Sequence, residues 1–150
     1  MRSVDDLAAE IETTLRGRFS FKKRVLIALA GPPGAGKSTL ADALVQRLNT
    51  SSPEAPAAVV PMDGFHYDNL ILEARGLRGR KGAPETFDAS GFLALLHRLR
   101  DVTNDVAIPV FDRSMDLSRA SARMIELRHR LLVVEGNYLL LDRPVWRDLR

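Results

Sequence analysis

The spacing of apolar residues along the chain predicts an alternation of short buried strands and amphipathic helices. Strands read as continuous apolar runs bounded by turn residues, and helices repeat their apolar residues every three to four positions. The first run, 24–30, ends at a glycine, as expected of a strand buried on both faces. The strands are predicted at 24–30, 57–62, 105–112 and 130–136, and the helices at 3–16, 38–48, 68–75 and 90–101.

This alternation predicts βαβ units and an α/β fold with a mainly parallel sheet, formed by residues 1–150 as one domain. Ligands of such folds collect at the carboxyl ends of the strands. Those ends fall at Gly31, Asp63, Asp112 and Glu135. The pattern therefore makes these four positions the first candidates for ligand-binding or catalytic residues.

Several helix boundaries are marked by residues that satisfy free backbone groups. Ser3 is a candidate N-cap with Asp6 three residues later, and Asp68 is a candidate N-cap whose helix ends at Gly76. In the last helix the apolar residues share one side, which predicts a face turned to the core. These residues are Phe92, Leu95, Leu96 and Leu99.

Composition places the chain among ordinary globular proteins, with 45% apolar and 27% charged residues. No apolar run approaches the roughly 18 residues of a membrane span, so we expect no membrane partner. The N-terminus carries acids among its apolar positions and lacks the layout of a secretory signal. The absence of cysteine excludes disulfide scaffolds and thiolate metal sites. It also fits a reducing compartment, and we expect a cytoplasmic location.

The net charge of +3 is small, and the basic residues are spread along the chain. One local cluster stands out, formed by Arg75, Arg78, Arg80 and Lys81. A cluster this tight suits a phosphate-bearing small molecule at least as well as a polymer. We therefore expect a small-molecule substrate and no nucleic-acid partner.

The stretch "GPPGAGKST" (31–39) fits the phosphate-binding pattern G-x-x-x-x-G-K-[ST] and lies between a predicted strand and a predicted helix. The glycines allow successive backbone N–H groups to point at phosphate oxygens. Lys37 is expected to reach the β- and γ-phosphates, and the Ser38 hydroxyl to bind Mg²⁺. The stretch predicts binding of a nucleoside triphosphate through Gly31, Gly34, Ala35, Gly36, Lys37, Ser38 and Thr39.

Two acids at strand ends gain candidate roles from this loop. Glu135 stands where an acid commonly reaches the Mg²⁺ of such a site, although a solvated strand terminus is the alternative. Asp63 could orient and deprotonate an acceptor hydroxyl beside the γ-phosphate, with Lys37 as the catalytic cation. An Asp-Gly pair also starts turns for purely local reasons, so that alternative stays open.

Four blocks of the chain, in order, carry a family resemblance: "GPPGAGKST", "MDGFH", "RGLRGRKGAPETFD" and "LLVVEGNYLL". Together they span about residues 24–141, and the chain resembles the uridine kinase, phosphoribulokinase and bacterial pantothenate kinase family of P-loop kinases. The resemblance implies a P-loop NTPase three-layer sandwich, ATP with Mg²⁺, and phosphate transfer to a small-molecule hydroxyl. It also implies Asp63 as the base and Glu135 as the acid near the metal.

The acceptor is expected to be a sugar such as fructose. The segment "PVFDRSMDLSRA" is similar to a bacterial subgroup of the family associated with sugar transport, and its acids and arginines suit a polyol. The third block resembles pantothenate kinases instead, and a pantothenate or nucleoside acceptor is the alternative. The residues expected to contact the acceptor are Asp63, Phe65, His66, Tyr67, Lys81, Asp112, Arg113 and Arg119.

The chain departs from the family at "DRPVWRDLR" (142–150), where family members continue into a further strand and an arginine-bearing lid. We therefore expect the C-terminal strand and the lid to be missing from the fold, and the exposed sheet edge to favour a homodimer. Two other classes stay open. One is an ATPase that needs no acceptor, and the other is a nucleotide-binding module without catalysis.

Overall fold

The computed structural model describes residues 2–16, 23–54 and 56–149. Every predicted helix and strand is present in these residues, with boundaries shifted by a few positions. The helices are α1 (Val4–Arg16), α2 (Lys37–Thr50), α3 (Asn69–Ala74) and α4 (Ala89–Arg100). The strands are β1 (Val25–Ala30), β2 (Ala57–Pro61), β3 (Val106–Asp112), β4 (Leu117–Ile125) and β5 (Leu131–Gly136).

Strands β1, β5 and β2 form a parallel sheet in that order. Strand β5 is central, and Val133 pairs with Ile27 on one side and Val59 on the other. All six residues of β5 are buried, because the strand has a neighbour on each side and packing above and below. The predicted parallel α/β arrangement is confirmed.

Strand β1 corrects the expectation that 24–30 is buried on both faces. Ala28 and Ala30 are exposed, whereas Leu26 is half-buried. Among the described residues β1 pairs with β5 alone, which makes it an edge of the sheet. An apolar run in the sequence therefore marked a strand correctly, but it did not distinguish a central position from an edge.

The sheet separates two apolar cores and gives the molecule three layers. On one face α1 and α2 pack Leu15, Leu44 and Leu48 against Val59 and Val133. On the other face α4 packs against alternate residues of the same strands. The buried residues of this second core include Phe92, Leu95, Leu96, Leu99, Val60, Leu132, Val134 and Trp146. The predicted apolar face of 90–101 is confirmed.

The predicted helix caps are also present. The Ser3 hydroxyl accepts a hydrogen bond from the Asp6 N–H at 3.1 Å, and the Asp6 carboxylate accepts one from the Ser3 N–H at 3.1 Å. Asp68 accepts from the Leu70 N–H at 2.9 Å, and Gly76 follows α3 with a φ of +66°. Reciprocal capping of this kind fixes where each helix begins.

Strand β3 corrects a second expectation, because it does not join the parallel sheet. It pairs antiparallel with β4, a strand that the sequence pattern missed. Asp112 therefore ends a strand of a separate hairpin and does not lie at the carboxyl edge of the parallel sheet. Strand β4 is mostly exposed, and its four serine and arginine residues interrupt the apolar ones, so it lacks the apolar run by which the other strands were recognised.

Among the described residues, no helix combines the length and the hydropathy that a bilayer crossing requires.

Candidate functional site

The loop between β1 and α2 turns through two glycines in the left-handed region. Gly34 and Gly36 adopt φ angles of +75° and +80°, in the left-handed region that favours glycine. Helix α2 starts directly after Gly36, whose carbonyl accepts from the Leu40 N–H at 2.9 Å. Lys37 Nζ donates to the Pro32 carbonyl at 2.8 Å, so the lysine folds back along its own loop.

The sheet register brings the strand ends together at this loop. Glu135 pairs with Leu29 of β1 and with Pro61 of β2, so it lies between the two strands at their carboxyl ends. Gly31 follows β1, and Asp63 lies two residues beyond the end of β2. Residues from three separate segments therefore meet at one edge of the sheet, as the sequence predicted.

Glu135 is buried, with an exposed fraction of 6%. Burial is the main cause that raises the pKa of Glu135 above its ordinary value, and the charge of Asp63 raises it further. The Ser38 hydroxyl and the charge of Lys37 lower it in opposition. The pKa of Glu135 is therefore influenced by the acid, the lysine and the hydroxyl that the sequence assigned to the site.

The oxygen atoms of Ser38 and Glu135 suit a hard cation such as Mg²⁺, which prefers oxygen ligands. Among the described residues, no three His, Asp or Glu side chains are arranged to hold a metal by themselves. A divalent ion here would complete its coordination with water and nucleotide phosphates, which is the usual way proteins hold Mg²⁺. The donor set fits the predicted ion.

Asp63 lies in a single 3₁₀ turn, Met62–Phe65, which packs directly on strand β3. A Cβ added at Gly64 would stand 2.8 Å from the carbonyl carbon of Pro109 and closer still to its oxygen. The glycine therefore lets two backbones touch and fixes the position of the neighbouring acid. The Asp63 carboxylate is 29% exposed, and Arg113 Nη2 lies 3.5 Å from its Oδ2.

The rings that follow Asp63 have different environments. Phe65 packs on Phe92 of the core, with ring centroids 5.0 Å apart, and Tyr67 lies under the Arg75 guanidinium at 4.6 Å. Their contact with an acceptor stays a prediction, and for Phe65 the core accounts for its position.

His66 is held between two aromatic rings, Phe87 at 4.0 Å and Phe111 at 4.8 Å. Its Nδ1 lies 2.8 Å from the Asp63 carbonyl, which can only accept, so Nδ1 carries the proton. Burial is the main cause that lowers the pKa of His66, which makes the ring neutral at pH 7. The histidine therefore supports the backbone of Asp63 and supplies no positive charge.

Asp112 shapes the turn of the hairpin. Its Oδ1 accepts from the N–H groups of Ser114 and Met115 at 3.0 and 3.2 Å, and the hydrogen bond from the Ser114 hydroxyl is the main cause that lowers its pKa. Arg119 Nη1 lies 3.7 Å from Asp112 Oδ2. Arg113 therefore extends toward Asp63, whereas Arg119 of β4 pairs with Asp112 of the facing strand β3.

Lys81 is turned away from solvent and donates to Asn69 and Asp116. Nothing in the sequence indicated the contacts of Asn69, Phe87 and Phe111, and it offered Asp116 only as one of the acids of the segment that suits a polyol. A turn signal was present in "DRSMD" (112–116), where two acids flank a short polar stretch, but it does not reveal which lysine the turn meets.

No family model matches the sequence. The solved structure of a "putative fructose transport system kinase" from Silicibacter sp. TM1040 is similar to this chain, with a TM-score of 0.83 and 47% sequence identity. That match covers 99% of this chain and 70% of the other.

Curated relatives match over a smaller part of their own length. A "putative uridine kinase" of Schizosaccharomyces pombe is 39% identical over 135 residues, which are 85% of this chain and 56% of the relative. A pantothenate kinase of Bradyrhizobium sp. (strain ORS 278) is 34% identical over 128 residues, 85% of this chain and 40% of the relative. The chain thus spans about half the length of the curated relatives it matches.

Proposed function

Because this chain belongs to the family of P-loop kinases that includes the uridine and pantothenate kinases, we propose that its protein transfers the γ-phosphate of ATP to an alcohol group of a small molecule. The observation that carries the proposal is the place of Asp63. The acid follows β2, whose last residue pairs with Glu135, so it lies at the sheet edge that carries the phosphate loop, and it remains partly open to solvent. An acceptor hydroxyl can reach such a carboxylate, whereas a buried structural acid would be closed to it.

Four residues have separate roles in the proposed reaction. Asp63 accepts the hydroxyl proton as the acceptor oxygen bonds to the γ-phosphorus, and the bond to the β,γ-bridging oxygen breaks to release ADP. Lys37 exchanges the Pro32 carbonyl for phosphate oxygens and stabilises their charge. Ser38 and Glu135 would hold Mg²⁺, which neutralises phosphate charge when bound.

A sugar such as fructose is the acceptor we propose. The name of the Silicibacter protein supports a sugar, and the half-buried Asp112 and the exposed Arg113 and Arg119 belong to the hairpin whose Arg113 lies 3.5 Å from Asp63. Carboxylates and guanidinium groups together bind the hydroxyls of a polyol, as acceptors and as donors. Pantothenate and nucleosides are the competing acceptors, because relatives of this chain carry those names.

The test measures ADP release with Mg-ATP in the presence of fructose, other sugars, uridine, cytidine or pantothenate. We expect release that depends on one acceptor, and Asp63→Asn to reduce kcat by about 10²–10⁴-fold with ATP binding retained, because general-base catalysis contributes about that factor. Asp68→Asn is the matched control, since asparagine caps a helix as well as aspartate. ADP release without any acceptor would indicate an ATPase, and Asp63→Asn turnover at the wild-type rate would refute the role of this acid.

A further inference from the structure

A cluster of polar side chains joins the tip of the β3–β4 hairpin to the segments beside the candidate site. Lys81 Nζ donates to Asn69 Oδ1 at 2.7 Å, to the Asp116 carbonyl at 2.7 Å and to Asp116 Oδ1 at 2.8 Å. An ammonium group has three protons. All three are therefore engaged by protein acceptors, and none is left for a substrate oxygen.

Asp116 is the point on which these contacts converge. Its φ of +53° lies in the left-handed region, which is uncommon for a residue other than glycine. Asn69 Nδ2 also lies 3.3 Å from its carbonyl and 3.2 Å from its Oδ2, and Arg78 Nη2 lies 2.9 Å from Oδ2. The end of the hairpin turn is thus held in an unfavourable backbone conformation by side chains from outside the hairpin.

Lys81 is the most shielded charge of this cluster. Its side chain is 12% exposed, against 44% for Arg78 and 48% for Asp116. Its Nζ also lies 5.0 Å from the centre of the Phe111 ring. Exposed ion pairs are screened by water and contribute little stability. The shielded Lys81 therefore contributes most of the energy that holds the hairpin tip in place.

The hairpin that Lys81 holds is connected to the base. The Phe111 ring contacts His66, and His66 Nδ1 donates to the Asp63 carbonyl. Arg113, at the tip of the same hairpin, lies 3.5 Å from the Asp63 carboxylate. Movement of the tip would therefore shift the arginine, while the contact of Gly64 with Pro109 would still hold Asp63 in place.

We propose that Lys81 is a positioning residue, which acts through Asp116 and Asn69 to hold the β3–β4 hairpin over the acceptor site. This inference rests on the proposed function. It replaces the expectation from sequence that Lys81 contacts the acceptor itself. The lysine determines where Arg113 stands, and Arg113 contacts the acceptor.

The first test measures hydrogen exchange of Lys81→Met in the full 150-residue chain. We expect residues 110–119 to exchange about tenfold faster, because the hairpin opens locally, and 131–136 to keep their protection. Arg80→Met is the matched control, since Arg80 pairs with Glu85 at 2.6 Å and does not hold the hairpin. Unchanged exchange of 110–119 in Lys81→Met would overturn the proposal. If Lys81→Met unfolds, Asp116→Asn supplies the measurement, because asparagine tolerates the left-handed backbone while its amide removes the charge and one of the two acceptor oxygens. Residues 110–119 should again exchange faster, and unchanged exchange would overturn the proposal.

The second test separates positioning from direct contact. With the acceptor found in the panel, Lys81→Met should raise the acceptor KM about tenfold and change kcat by a smaller factor, because the contact of Gly64 with Pro109 still holds the turn of Asp63. The ATP KM should stay within about twofold, because the phosphate loop lies between β1 and α2. A raised KM with unchanged hydrogen exchange would mean that Lys81 contacts the acceptor, and the proposal would be wrong. A wild-type chain that transfers no phosphate would contradict the proposed function, while the exchange measurement would still decide the role of Lys81.

Discussion

Gly64 connects the acid of the site to the hairpin above it. The residue is buried, and its Cα packs on the backbone of Pro109, where strand β3 departs from regular pairing. Any side chain at this position would push the turn of Asp63 and the hairpin apart. The close contact with Pro109 is therefore what requires glycine at this position. Backbone conformation is not the reason, because the φ of Gly64 does not lie in the left-handed region.

Gly64→Ala should destabilise the fold by about 1–3 kcal/mol, which is the usual cost of forcing an extra methyl group into a packed site. In a chain of this length that cost lowers Tm by about 2–4 °C per kcal/mol. Thermal unfolding followed by circular dichroism measures the shift. Gly79→Ala is the control and should leave Tm unchanged, because a Cβ at Gly79 meets no atom of the described residues within 4 Å. Equal Tm values for the two variants would contradict the close contact.

Helices α1 and α2 are joined by a buried acid. The side chain of Glu12 is 6% exposed and accepts from Arg16 at 2.6 Å, from Arg47 at 3.0 Å and from Ser51 at 3.2 Å. The hydrogen bond from Arg16 is the main cause that lowers the pKa of Glu12, while burial opposes it. Both oxygens of the carboxylate therefore accept hydrogen bonds, and the Glu12 side chain links α1 to α2.

Glu12→Gln should cost about 1–3 kcal/mol of stability at pH 7, because an amide donor would then face the arginines. A lowered pKa means that the carboxylate stabilises the fold above its ordinary pKa of 4.5 and that this contribution is lost as the pH falls through the folded-state value. The stability difference between wild type and variant should thus be full at pH 7 and shrink below about pH 4.

Urea unfolding at several pH values measures this difference. Glu10→Gln is the matched control, since Glu10 is 60% exposed and its pair with Arg2 should contribute under about 1 kcal/mol. A Glu12→Gln difference that stays constant from pH 7 to pH 3 would rule out the charge as its cause.

At the scale of the whole molecule, the sheet ends at β1 with one side of the strand unpaired among the described residues. Ala28 and Ala30 are exposed there, and the strand carries no charged side chain. Unpaired backbone groups along an apolar edge favour pairing with another chain. We therefore expect this edge to associate with a second copy.

Ala28→Lys should weaken such association, because a charge on an edge strand opposes strand addition. Sedimentation velocity over a range of concentrations should show the dimer fraction falling in this variant. Ser90→Lys, an exposed position at the start of α4, adds the same charge elsewhere and should leave the dimer fraction as in wild type. A wild-type chain that stays monomeric at every concentration would contradict the prediction.

Short stretches of the sequence determined those features of the protein that depend on neighbouring residues alone. The phosphate loop is one stretch of nine residues, and the apolar periodicity located every predicted helix and strand. The order of strand ends then placed Asp63 and Glu135 at the same edge as Ser38, as the structure shows. These features depend on backbone geometry and burial over a few neighbouring residues, which a single sequence displays.

Tertiary structure alone decided the features that depend on distant pairs. Strand β4 has no apolar run, so only its pairing with β3 makes it a strand. Asp116 lies 35 residues from Lys81, and no pattern along the chain links the two. Likewise, Phe65 turns to the core because Phe92 lies beneath it. A sequence states which side chains are available, but the packing of the hairpin on the sheet determines which of them meet.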